Sequence, residues 1–222
     1  MSLQTPPNGS GSVIATLTNG GKEYPIGIIA DATTPTQQQA VDANGNAHVV
    51  SAPVDGAKAS YSAALTALSP GTSATTVVAQ ITGSASTVVR VTKVRVSATE
   101  ATAAAYHNVQ IVKSSTAIAG GTPVAGTKVP NDSSNAAATN TVQGFSATPT
   151  AGTAVGTVRA AKLFCPVTGT PAAGGNELIF DFGQLAQAIV LRGVAQSLDV
   201  KINGETPANA GSWNISFEWT EE

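Results

Sequence analysis

The sequence predicts an all-β fold with its strands stacked in two layers, and three observations predict it. Near the C-terminal end, Trp213, Ile215, Phe217 and Trp219 alternate with Asn214, Ser216, Glu218 and Thr220. Side chains alternate across a strand, so this segment has one apolar and one polar face, and both tryptophans of the chain lie on the apolar one. From residue 59 onward similar runs recur, separated by turn residues and without sustained helical periodicity. The composition agrees. Only 11% of residues are charged, against roughly 25% in ordinary soluble domains, and Gly, Pro, Thr, Ser, Ala and Val favour strands joined by tight turns.

Residues 1–57 read as a segment apart. Pro6, Pro7, Asn8, Gly9 and Gly11 open a flexible lead, and an apolar patch follows at Tyr24-Pro25-Ile26-Gly27-Ile28-Ile29-Ala30. Asn44-Gly45, between short runs containing Val41 and Val49, predicts a hairpin, because both turn positions need positive φ. The segment has little apolar bulk for a core of its own. It is expected to be an extended arm that docks on something larger, the alternative being that it supplies the first strands of the same domain.

In residues 58–222 the expected strands are 60–68, 75–81, 87–98, 106–113, 140–145, 155–165, 178–182, 189–194, 198–202 and 213–220. Pro70-Gly71, Gly120-Gly121, Pro130-Asn131-Asp132, Gly174-Gly175 and Asn203-Gly204 separate several of them. Leu198, Val200 and Ile202 alternate with Asp199, Lys201 and Asn203, which predicts one dry and one wet face. The valine phase slips between Val91 and Val94, as a β-bulge or a strand passing between layers would make it do. Weak helical signals are confined to 99–105 and 184–189.

Motifs for chemistry are scarce. The two histidines, His48 and His107, have no Cys, His or acid at metal-ligand spacing, so satisfied structural or surface roles are expected. Asp42-Ala43-Asn44-Gly45-Asn46 starts like a calcium loop, but Pro53 stands where the bidentate glutamate belongs. There is no nucleophile elbow and no phosphate-binding loop. The one cysteine, Cys165, ends an expected strand and reads as a small buried hydrophobe. Glu221-Glu222 reads as a solvated tail, and the Trp213–Trp219 face as core or subunit interface, with a sugar-stacking platform as the alternative. No catalytic residue, metal or cofactor is expected. A net charge of −2 with scattered lysines and arginines gives no footprint for nucleic acid. The start lacks the layout of a secretion signal, and no apolar run approaches the roughly 20 residues of a membrane span.

The turn and strand-edge segments Val129-Pro130-Asn131-Asp132, Ala147 to Arg159, and Ile189 to Gly204 through Trp219-Thr220-Glu221-Glu222 resemble structural proteins of tailed bacteriophage particles. Ala40 to Val49 is similar to segments of phage decoration and fibre-like proteins. The resemblance covers residues 35–50 and 125–222. It implies a virion protein, a cement or decoration subunit on the capsid surface, assembled in the host cytoplasm as a trimer or dimer. Its partners would be the major capsid protein and copies of itself, with no nucleic acid and no membrane. Such families carry no catalytic residues to transfer.

The expectation is therefore a jelly-roll-like antiparallel β-sandwich at 58–222 with an N-terminal arm at 1–57. In the arm, Tyr24, Ile26, Ile28, Ile29, Val41 and Val49 are the expected anchoring residues. A chain poor in charge can lay backbone along a partner and cover open sheet edges. The alternatives are a tail, baseplate or head-fibre component that contacts host glycans, or a carbohydrate-active enzyme on a β-sandwich.

Overall fold

The structure is a computed structural model of the 222-residue chain. It describes residues 58–70, 76–169, 176–183, 188–202 and 211–222, together with the backbone of three short strands before them. By contacts the chain divides into two units, Met1–Ala52 and Pro53–Glu222.

In the first unit, β1 (Ser2–Gln4), β2 (Ile14–Asn19) and β3 (Lys22–Ile26) make an antiparallel sheet in the order β1-β2-β3. Short strands are expected in this segment, although the sequence marks only an apolar patch at β3 and no particular strand at β2. The hairpin expected at Asn44-Gly45 lies outside the described residues.

The second unit is an antiparallel β-sandwich, as predicted, and no helix occurs among its described residues. Its strands are β4 (Ala59–Leu68), β5 (Thr76–Thr82), β6 (Val89–Thr99), β7 (Ala105–Ser114), β8 (Pro123–Ala125), β9 (Thr127–Pro130), β10 (Val142–Phe145), β11 (Ala154–Cys165), β12 (Glu177–Asp181), β13 (Ile189–Leu191), β14 (Ser197–Ile202) and β15 (Ser212–Glu221). One sheet runs β11-β7-β14-β5-β10-β8. The other runs β12-β6-β15-β4-β9, with β13 continuing the edge that β12 begins along β6.

The dry faces of both sheets meet in one core. Trp213, Ile215, Phe217 and Trp219 are all buried there, among Val89, Val91, Val94 and Val96 of β6 and Leu198, Val200 and Ile202 of β14. Tyr61 stacks on Trp219 at 5.8 Å and donates its hydroxyl to the Ala136 carbonyl at 3.0 Å. Burying side chains of this size supplies most of the drive to pack the layers.

The valine slip in β6 is a bulge. Glu218 faces Lys93 but Trp219 faces Val91, so Thr92 is the extra residue, and Val91 and Val94 both point inward. The weak helical signal at 99–105 gives a bend between β6 and β7, while residues 184–187 lie outside the described residues.

β8 and β9 escaped the sequence reading. They are one short extended stretch that changes sheet at Gly126: β8 pairs with β10 in one layer, and β9 pairs with β4 in the other. A Cβ at Gly126 would stand 3.1 Å from Val142 Cγ1 and 3.2 Å from Leu65 Cδ2, so the crossing has no spare room. Sandwich corners of this kind are made by chains that bend between layers.

Two expectations about wet surfaces need correcting. Asp199, placed on the wet face of β14, is buried, because segments 115–121 and 146–153 pair with each other beside it. Ile118 packs with Val77 and Phe145, and its amide donates to Gln80 Oε1 at 3.2 Å. Glu221, expected in a solvated tail, is also buried. Only Glu222 beyond it is exposed, and it pairs with Lys58 and Arg90.

Candidate functional site

Of the residues expected to anchor the arm, Tyr24 and Ile26 fall on β3, whereas Ile28, Ile29, Val41 and Val49 lie outside the described residues. Trp213, Ile215, Phe217 and Trp219 are core residues, the tryptophans 0% and 1% exposed. A sugar ring has no access to either, which removes the stacking platform considered for them. The acidic side chains of the outer face are matched by cations. Lys93 Nζ stands 3.4 Å from Glu218 and 3.9 Å from Asp181, and Arg95 reaches Glu218 at 3.7 Å and Glu177 at 3.8 Å. These exposed pairs run across β12, β6 and β15 and contribute little each.

Two features concentrate surface and chemistry. The first is β11, which among the described residues ends its sheet, pairs only with β7 and carries an open main-chain edge. Val155 is 66% exposed on it, and Phe164 packs on Tyr106 of β7 with ring centroids 5.1 Å apart while both remain open to solvent. Irregular register at 154–156 and 157–159 breaks the strand's straight run, and Arg159 and Lys162 add charge, which are common means of discouraging indiscriminate edge pairing.

The second feature is a buried cluster of Glu100, His107 and Cys165 at one end of the sandwich. All three are 0% exposed, and one ligand-type atom from each lies within 4.8 Å of the other two. His107 sits on β7 directly opposite Leu163 of β11, and Cys165, two residues on, faces Ala105. The two side chains are thus diagonal neighbours on the same face. Glu100 follows the end of β6 and is drawn in by its main chain. Its amide donates to the Pro166 carbonyl at 2.7 Å, and its carbonyl accepts from the Thr168 amide at 2.8 Å.

Inside the cluster, His107 Nε2 and Glu100 Oε1 are 2.5 Å apart, a short hydrogen bond. Among the described residues, Glu100 Oε2 and His107 Nδ1 have no hydrogen-bond partner. The His107 ring meets Trp213 edge-on at 5.5 Å, and Gly211 lies so close that a Cβ there would be 3.4 Å from the Glu100 carboxyl carbon. Burial, with the Glu100 charge adding to it, pushes the Cys165 thiol up to about 12. It is protonated and shielded, so it has neither the thiolate nor the access that a nucleophile needs. A set of one carboxylate, one imidazole and one thiol is nevertheless a competent donor set for a divalent metal.

Spacing motifs do not reveal this cluster, because Cys165 is distant in sequence from Glu100 and His107 and joins them through strand pairing. Strand parity does carry a signal. Glu100 continues the inward series Val94, Val96 and Ala98; His107 opens the inward series continued by Val109 and Ile111; Cys165 follows Leu163. The same parity puts Glu221 on the side of Trp219. Polar residues that extend a dry face at a strand end are the pattern to look for.

Compared with protein-family models, with curated proteins and with solved structures, the chain finds no match.

Proposed function

We propose that the chain is a non-enzymatic structural subunit of a tailed-phage particle, a cement or decoration protein on the capsid exterior, trimeric or dimeric and anchored through its N-terminal segment. The observation that carries this reading is the order of strand pairing. Taken forward, β4, β5, β6 and β7 meet β15, β14, β13 with β12, and β11, taken backward. These four pairs form an antiparallel ribbon whose successive pairs fall alternately in the two sheets. That nesting supports the jelly-roll reading of the sandwich, an architecture used by viral capsid domains among others. It agrees with the particle proteins that the turn segments resemble.

Fold alone does not assign a role. The surface supports this one: an open edge at β11 and the exposed Tyr106–Phe164 pair suit a contact with a shell subunit or a second copy, by strand addition or by packing. The division at Ala52 supports a separate anchoring segment.

The test removes residues 1–52 and offers the truncated protein to particles that lack the native subunit. The truncated chain is expected to fold cooperatively, with the tryptophan fluorescence of a buried core, and to bind the particles far more weakly than the full chain. Normal occupancy by the truncated chain would show that the first unit is not the anchor.

A further inference from the structure

We propose that Glu100, His107 and Cys165 form a structural site for a single zinc-class divalent cation, which ties together the ends of β6, β7 and β11. The sequence reading expects no metal, and the inference does not depend on the particle role.

The donor chemistry selects the ion. A thiolate, an imidazole and a carboxylate together suit zinc and its borderline neighbours, whereas calcium and magnesium prefer all-oxygen sets. Thiolate and carboxylate bring two negative charges, which a divalent cation neutralises inside a sealed core. Such a charge pair is otherwise expensive to bury.

Geometry fits with small movements. Ligands of one tetrahedral zinc at roughly 2.0–2.3 Å from the metal stand about 3.3–3.8 Å from each other. Here the three donor atoms already lie within 4.8 Å of one another. Metal entry has to replace the short Glu100–His107 hydrogen bond, parting those atoms by roughly 1 Å and drawing Cys165 closer. Glu100 Oε2, which has no donor, is available to complete the coordination in a bidentate mode.

The unpartnered Glu100 Oε2 is the second, independent observation. A buried carboxylate oxygen without a donor is unfavourable and rare in native structures. Among the described residues, Glu100 Oε2 is in that condition within a fully buried cluster. The backbone around them is held firmly by the Pro166 and Thr168 hydrogen bonds and by the β7–β11 pairing, so the donors are presented by fixed strand ends. Coordination displaces the Cys165 thiol proton, which leaves to solvent during folding, and the proton shared by His107 Nε2 and Glu100 Oε1, so that the neutral imidazole keeps its one proton on Nδ1.

Because the site is sealed, loading is done by refolding the full chain from denaturant with chelator, with zinc or with cobalt(II). One equivalent of metal should be retained after desalting. The zinc-refolded protein should melt several degrees higher than the chelator-refolded one. The cobalt form should show thiolate-to-cobalt charge-transfer absorption, which identifies Cys165 without any variant, since the chain has one cysteine. Cys165→Ser and His107→Gln should each lower retention at least tenfold, and His48→Gln should leave it unchanged. A chain that refolds equally well in all three conditions, retains less than a tenth of an equivalent and shows no charge-transfer band would overturn the site. Retention that survives both Cys165→Ser and His107→Gln would overturn it too.

Discussion

Asp199 and Glu221 are both buried carboxylates, and their surroundings move them in opposite directions. Burial raises the Asp199 pKa above the ordinary 3.8, outweighing Ser114 Oγ, which donates to Oδ2 at 2.6 Å, the Ser197 hydroxyl and the Lys201 charge. At Glu221, burial also opposes the charge, yet the Thr139 hydroxyl and amide, the Trp219 indole and the Asn140 amide all donate to it, and its pKa falls below the ordinary 4.5. The stability contributions follow. The folded state holds the Asp199 proton more tightly than the unfolded chain, so this group lowers stability as pH rises from 3.8 through the raised value. Glu221 stabilises above 4.5, and that contribution disappears as pH falls below it. Asp199→Asn should therefore be more stable than the parent near neutral pH, with the advantage shrinking towards pH 3.8. Glu221→Gln should be less stable at neutral pH, with the deficit shrinking below pH 4.5. Denaturant midpoints across pH check both. Trp213→Ala, at 0% exposure, should cost about 3–5 kcal/mol in the same assay.

At the scale of elements, legibility tracks length and alternation. β6, β7 and β15 were readable because each repeats the two-residue rhythm often enough to separate a dry face from a wet one. β8 and β9 were not. At three and four residues they carry no rhythm, and they exist because β10 and β4 offer edges to them. The burial of Asp199 was hidden for a related reason: the cover over it comes from segments 115–121 and 146–153, and no local pattern in β14 announces them. The Glu100–His107–Cys165 cluster was half legible. Parity puts each residue on a dry face, but only the pairing of β7 with β11 and the bridge from Glu100 to Val167 bring them together. Gly126 tests the element scale directly. Gly126→Val should overpack the sheet crossing against Val142 and Leu65 and cost about 1–3 kcal/mol, measured as a lower melting temperature with the β-rich circular-dichroism spectrum retained. Unchanged stability would mean that the crossing has room the structure does not show.

The whole molecule is organised by pairings between distant parts of the chain. β4 lies beside β15, so the second unit closes only when its first and last strands meet, and each pair inside it is nested in the same way. That closure buries both tryptophans and leaves β11 as a long outer edge. A molecule so arranged presents surface, main-chain edge and shape to its surroundings, and the proposed particle role uses those properties. The most direct test is the location and copy number of the chain in purified particles, by imaging and quantitative protein staining. The account predicts many copies in symmetric positions on the outer shell, in dimers or trimers. Particles that assemble with none of the chain in them would contradict it.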